Sequence, residues 1–300
     1  VASKILITDA FSSLGQAIYS AFEHSPYSVL TPTRSKLDLQ AADAAALVDY
    51  IRRHDVAVII NTFGWSEEPT VEDQRALVTV AGVVAKAASE TGCIVMHISS
   101  YRVFGGENKS SYDEEDVPSP LSTAGEAFLQ AESLLSDQLQ RLVCLRLSWV
   151  IDTLGDSIFS SLLGQLSTTG PELQVTHQRR GAPVSTMEVG WVLLGMVNQL
   201  LCGADNWGVF HLASSDTCTS AEFVEALADV LEREGELRRQ WQLQQLSTAQ
   251  LETQQEPDSS VLTVRRCRDN FGYQARSWRQ GLTAQVRSWL QLQKRLQAEA

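Results

Sequence analysis

The chain has 300 residues, 44% of them hydrophobic, and a formal net charge of −12. That length suits one large domain, or a sheet domain with a smaller lobe. The acidity argues against nucleic acid or an anionic membrane as partner, and no apolar run approaches the roughly 18 residues that span a bilayer.

The opening stretch Val1–Thr8 runs straight into a strand pattern, so no signal peptide and a cytoplasmic location are expected. Strands are predicted at Lys4–Thr8, Ser28–Thr31, Val56–Asn61, Cys93–Ser99 and Leu142–Trp149. Helical periodicity separates them at Leu14–Glu23, Ala41–His54, Gln74–Thr91 and Pro120–Gln140. Strands alternating with helices at this spacing indicate a parallel sheet covered on both faces. After about residue 150 the rhythm loosens: helices are expected at Ser157–Leu166, Glu188–Leu201 and Ser220–Glu234, and a strand at Gly208–Ala213. The Gln-rich segment Gln242–Gln255 reads as a surface stretch leading into a strand, and Trp278–Ala300 as an amphipathic helix. The expected division is a Rossmann-type domain over 1–150 and a smaller α/β substrate-type lobe over 151–300, with some segments of the latter returning to the first domain. The five cysteines lack Cys-x-x-Cys spacing and the five histidines lack ligand spacing, so reduced thiols and no metal are expected.

A dinucleotide-binding fold places glycines between its first strand and helix, where the pyrophosphate meets backbone N–H groups. The spacing Gly-x-x-Gly-x-x-Gly falls here on Asp9-Ala-Phe-Ser12-Ser-Leu-Gly15, so only the third glycine is present. Gly15 serves helix–strand packing more than phosphate contact. A carboxylate about 4 Å from a phosphate costs on the order of 4 kcal/mol at an effective dielectric near 20. Asp9 therefore disfavours NADP(H), although Ser12 and Ser13 offer hydroxyls, and Arg34 follows the second strand where a 2′-phosphate contact would stand. A structural turn in which Asp9 caps the next helix is the plainer reading.

Several short stretches then fall in a familiar order: Arg34-Ser-Lys-Leu-Asp-Leu39, Val58-Ile-Ile-Asn61, Val84-Ala-Lys-Ala-Ala88, His97-Ile-Ser-Ser-Tyr-Arg-Val-Phe-Gly-Gly106, Arg146-Leu-Ser-Trp-Val150, Gly181-Ala-Pro183, Gly208-Val-Phe-His211, Ser260-Val-Leu262 and Asn270-Phe-Gly272. In order and spacing the chain resembles dTDP-4-dehydrorhamnose reductases and their sugar-nucleotide-binding relatives along its whole length, as a degenerate member. The resemblance implies an NADPH-dependent keto-sugar reduction, in which a tyrosine gives the proton and a lysine four residues on lowers its pKa. On the helix Pro120-Leu-Ser-Thr-Ala-Gly-Glu-Ala-Phe128 those positions are Ala124 and Phe128. Only the carbonyl-polarising hydroxyl survives, as Ser100. Tyr101 lies in the same loop and is the one phenol placed to substitute, but without a neighbouring lysine its pKa would stay near 10.

The substrate side departs as well. The Asp-Gln-x-Gly-x-Pro-Thr loop of relatives reads Gln178-Arg-Arg-Gly-Ala-Pro-Val184, and their Arg-Pro-x-Asn-Ser reads Glu256-Pro-Asp-Ser-Ser260. His177, Arg179 and Arg180 form a basic cluster that would suit an anion, or simply a solvated loop. The expected function is a reductase fold retained as a binding, regulatory or scaffold subunit with a protein partner or a second copy of itself. The alternatives are an atypical reductase and a nucleotide or sugar-nucleotide sensor without turnover. The C-terminal helix, with Trp278, Trp289, Leu290 and Leu296, either packs back on its own domain or docks a partner.

Overall fold

The computed structural model describes residues 2–299 apart from 42, 106–108, 155, 156, 169–171, 177, 238–241 and 247–255. Short aliphatic runs form the first five strands: β1 Lys4–Ile7, β2 Ser28–Leu30, β3 Val56–Asn61, β4 Ile94–Ser100 and β5 Leu142–Leu147. Between them lie α1 Ser13–Phe22, α2 Ala44–His54, α3 Val71–Thr91 and α4 Thr123–Ser136. The second half adds β6 Val150–Ile151, α5 Ile158–Thr168, β7 Glu172–Thr176, β8 Arg180–Gly181, β9 Val184–Ser185 and α6 Thr186–Leu201. It continues with β10 Gly208–Leu212, β11 Cys218–Thr219, α7 Ser220–Arg233, β12 Gln242–Leu246, α8 Arg265–Phe271 and α9 Trp278–Glu299.

The main sheet is parallel throughout, in the order β10-β5-β4-β3-β1-β2. Residues of β3, β4 and β5 are almost entirely buried because helices cover both faces, which is why these strands read as continuous apolar runs rather than alternating ones. One face carries α2, α3 and α4, with Leu47, Val80, Val84, Phe128 and Leu135 in its core. The other carries α1 and α6, with Ile18, Phe22, Val189 and Leu193. The chain leaves β1 toward β2 and returns across β1 to β3, so the loops after β1 and β3 part and open a crevice at the carboxyl ends of the strands.

Local chemistry sets where the helices begin. The third helix starts one turn before the predicted Gln74, because Thr70 and Asp73 form a reciprocal capping box. The fourth is shorter than Pro120–Gln140, since Ser122 accepts from the Gly125 N–H and starts it at Thr123. Gly125 has a second duty. A Cβ there would lie 2.2 Å from the Arg102 carbonyl oxygen, so the lack of a side chain lets α4 close onto the turn that follows β4.

A third core lies under α5, α7 and α9. The Gln-rich stretch forms a strand over Gln242–Leu246, parallel to β7 from Gln242 opposite Glu172 to Leu246 opposite Thr176; the rest of it, 247–255, lies outside the described residues. The last helix is part of this core and is no free arm: Trp278, Leu282, Val286, Trp289 and Leu290 are all buried, whereas Leu296 is exposed. Full burial of such side chains is worth roughly 1.5–3 kcal/mol each. Truncation after Arg276 is therefore expected to unfold or aggregate the second half of the chain, seen as an early transition by calorimetry and dye binding; a soluble monomer with unchanged melting would contradict this packing.

Candidate functional site

Two cavities open at the carboxyl edge of the sheet, and Glu67 and Val150 belong to the walls of both. The first, of about 380 Å³, lies between the loops after β1, β3 and β6, where a dinucleotide fold holds its cofactor. Its lining includes Asp9, Glu67, Glu72, Asp73 and Asp152, with Phe63 and Trp65, and contains no lysine, arginine or histidine among the described residues.

Within this cavity the groups that a nucleotide would need are engaged elsewhere. Ser12 caps α1, accepting from Gly15 N–H at 3.2 Å and donating to the Asp9 carbonyl at 2.9 Å. The Ser13 hydroxyl donates to the Asp152 carboxylate. Asp9 is not the helix cap: its Oδ1 accepts from the Ser12 N–H at 3.3 Å and braces the turn. Gly15 seats the helix against the turn that follows β1, since a Cβ there would fall 1.8 Å from the Asp9 carbonyl oxygen. Arg34 stands apart from this cavity's walls, 74% exposed and paired with Asp38 at 3.1 Å. Burial raises the carboxyls of Asp9 and Asp152 above the ordinary range and pushes Glu67 up to about 7. These residues do not fit a pyrophosphate, which would meet like charge and committed hydroxyls.

The helix that should carry tyrosine and lysine is turned into packing. Ala124 is 8% exposed and Phe128 fully buried, the latter joining Phe104, Ala131 and Leu135. Neither residue lines either cavity. One turn further, Glu132 holds Arg146 through Nε at 2.9 Å and Nη2 at 2.6 Å, and accepts from Ser99 Oγ at 2.5 Å. Ser100 is also committed: its Oγ accepts from the Arg102 N–H at 3.3 Å and caps the single turn Tyr101–Val103.

The second cavity, of about 300 Å³, has Trp149, Ile151, Phe159, Leu162, Phe223 and Val224 among its walls, with Tyr101, Arg102 and Glu256 at one side. These last three form one buried knot. Glu256 accepts from Arg102 Nε at 2.7 Å and from the Tyr101 hydroxyl at 2.8 Å. Burial raises the Tyr101 phenol well above its ordinary 10, and the nearby carboxylates of Glu256 and Glu67 add to that against the opposing Arg102 charge. The Tyr101 hydroxyl is thus a weak acid whose hydrogen is held by Glu256. The negative charge of Glu256 is thus neutralised inside the protein by that of Arg102, at 2.7 Å.

The predicted basic cluster is divided. Arg179 lines the 300 Å³ cavity, Arg180 is exposed and donates to Thr217 Oγ1 at 3.3 Å, and His177 lies outside the described residues. Glu67 was not anticipated. Its Oε1 accepts from the Val150 N–H at 3.0 Å, whereas its Oε2 is shielded from solvent and has no hydrogen-bond partner among the described residues. No three His, Cys, Asp or Glu side chains among the described residues are placed to hold a metal ion, and no helix there is long and apolar enough to cross a membrane. All five cysteines are unpaired, four of them buried.

Two outcomes follow from these charges. Breaking one side of a buried ion pair costs about 3–5 kcal/mol, while replacing both members with apolar groups is near neutral. Glu256→Leu should destabilise by that amount in urea, and Arg102→Met added to it should restore most of the loss. For Glu67 the folded pKa of about 7 exceeds the ordinary 4.5, so its stabilising contribution is complete below pH 4.5 and lost as pH rises through 7. Glu67→Gln should remove that decline, gaining roughly 2–3 kcal/mol on the wild type between about pH 4.5 and pH 8 in urea unfolding. An unchanged difference across that range would mean that Glu67 titrates normally.

Comparison with known proteins agrees with this architecture. The family model described as RmlD substrate binding domain matches residues 3–290. The dTDP-4-dehydrorhamnose reductase of Aggregatibacter actinomycetemcomitans is 25% identical over 289 residues, 93% of this chain and 97% of that one. Methionine adenosyltransferase 2 subunit beta of Xenopus tropicalis is 26% identical over 239 residues, 75% of this chain and 71% of that one. The crystal structure of a dTDP-4-dehydrorhamnose reductase from Clostridium acetobutylicum superposes with a TM-score of 0.81 at 22% identity, covering 95% of this chain and 98% of that chain. That structural likeness speaks to the fold.

Proposed function

The chain belongs to the RmlD substrate binding domain family, and we propose that within it this protein is a non-catalytic member, a binding or regulatory subunit without hydride chemistry. One observation carries the reading: the side chains at the tyrosine and lysine positions, Ala124 and Phe128, are interior packing and reach neither cavity. Proton delivery needs a group within hydrogen-bond reach of the reacting oxygen. Ser100, Tyr101, Ser12 and Ser13 are each occupied by internal hydrogen bonds. The carboxylate-lined crevice supports the same conclusion, since it disfavours NADP(H).

A relative named as the beta subunit of an adenosyltransferase supports a role in which this fold serves a complex. By that analogy the partner is another protein, or a second copy of this chain. The competing reading, an NADPH-dependent sugar-nucleotide reductase with an atypical site, draws on the reductase relative that matches nearly end to end. It requires a cofactor in the acidic crevice and a new proton donor.

Titration with NADPH and NADH separates the two. Ligand at 100 times its Kd adds about 2.7 kcal/mol to stability. The expected result is no change in cofactor fluorescence and no rise in Tm with either nucleotide at about 1 mM, a concentration at which a micromolar binder would saturate. Saturable NADPH binding together with oxidation in the presence of a dTDP-keto-sugar would overturn the non-catalytic reading.

A further inference from the structure

We propose that the 300 Å³ cavity binds a small uncharged aromatic molecule of one or two fused rings, its flat body against Trp149, Ile158 and Leu162 and its single hydrogen-bonding group on the Ser220 hydroxyl. This names a ligand class for the binding role above and rests on that reading, since a reductase would give the same space to its sugar nucleotide.

Two helices supply much of the wall. Ile158, Phe159 and Leu162 come from the start of α5, and Ser220, Phe223 and Val224 from the start of α7, in each case at one-turn spacing on a shared face. Phe159 and Phe223 are buried in the third core, where Phe223 meets Trp278 edge to face at 5.3 Å. Trp149, Ile158 and Leu162 are only half-buried and so keep surface for a ligand. The Trp149 ring is held in place, 6.4 Å from Phe223 on one side and against Gly181, where a Cβ would fall 2.3 Å from the indole. Such a site, of small-molecule size, apolar and already formed, takes a flat body with little ordering left to do.

The charged groups of the wall select against both signs. Arg102 and Glu256 neutralise each other at 2.7 Å. Of the others, Glu67 and Glu68 oppose an anion, whereas Arg179 opposes a cation. A charged ligand would leave water for a largely apolar space and meet a like charge there, whichever sign it carried. An uncharged ring system avoids both penalties. The polar contact comes from one hydroxyl. Ser220 is half-buried, and its Oγ is neither hydrogen-bonded among the described residues nor sealed from solvent. It can donate to a ligand or accept from one. The neighbouring uncharged groups are already engaged, Gln174 Nε2 with Gln244 Oε1 at 3.0 Å and Thr176 Oγ1 with the Gln178 N–H at 3.1 Å.

Indole, 1-methylindole, tryptamine and indole-3-acetate test the assignment by isothermal calorimetry on the full chain at neutral pH. Indole is expected to bind saturably, and tryptamine and indole-3-acetate roughly tenfold or more weakly, because each brings a charge into the cavity. 1-Methylindole keeps the rings without the N–H and should bind roughly three- to tenfold more weakly than indole, the worth of one hydrogen bond. Ser220→Ala should erase that difference. Leu162→Trp fills the space from α5 and should abolish indole binding; Ile158→Phe makes the same test from a half-buried position if the first variant melts early. No saturable binding of indole, a charged analogue that binds as tightly, or undiminished binding to a folded, filled variant overturns the proposal. So does a preference for indole over 1-methylindole that survives Ser220→Ala. Parallel arms with NADPH and dTDP keep the two readings apart: no binding of any probe sinks only the aromatic site, whereas nucleotide binding with turnover sinks the non-catalytic reading beneath it.

Discussion

The carboxylate of Glu256, held at once by the Tyr101 hydroxyl and Arg102 Nε, fixes the character of the whole site. It ties the turn after β4 to a segment more than a hundred and fifty residues later in the chain, with |i−j| of 154 for the Arg102 contact. Such a buried pair is costly unless every partner is in place. Here both are, and the consequence is that the polar groups nearest the reductase-type centre bond to one another. Gly125 allows α4 to lie against the Arg102 carbonyl, and Phe128 then fills the space behind it. The turn after β4, the helix α4 and the segment around Glu256 are thus joined by one arrangement of packing and charge.

The acidic crevice is accommodated separately, by local hydrogen bonds. Asp9 and Asp152 each satisfy local donors, Ser12 N–H for the first, Ser13 Oγ and Leu154 N–H for the second. These carboxylates stabilise the loops that a phosphate would otherwise organise. An acidic side chain accepting from backbone N–H groups does structurally what a bound anion does in a nucleotide-binding relative.

Much of this was legible in the sequence, for identifiable reasons. The strands β1 and β3 to β5 are buried on both faces and therefore read as uninterrupted aliphatic runs. The absent tyrosine, lysine and glycines were visible as single letters at motif positions. The two-residue strands β6, β8, β9 and β11 were not visible, since a run that short has no period to detect. Strand β7 was missed, and β12 was read as surface, because a Gln-rich stretch hides the alternation that places Leu243 against the third core. Glu67 sits in Ser66-Glu-Glu-Pro69, which has the composition of a solvated loop, and its hydrogen bond from the Val150 N–H is one that only the folded chain makes. One half of the Arg102–Glu256 pair did leave a trace. Glu256 already stands out in the sequence, as an acidic residue where the motif of relatives has arginine.

Phe128 also bears on how this site and a hydride-transferring one are related. Its ring fills part of the core between α3, α4 and the sheet, with no exposed surface. A lysine at that position would enter an apolar interior, where desolvation favours the uncharged amine. The interior volume of one aromatic ring thus sets a folding cost on any ammonium at position 128, whatever stands at Ala124.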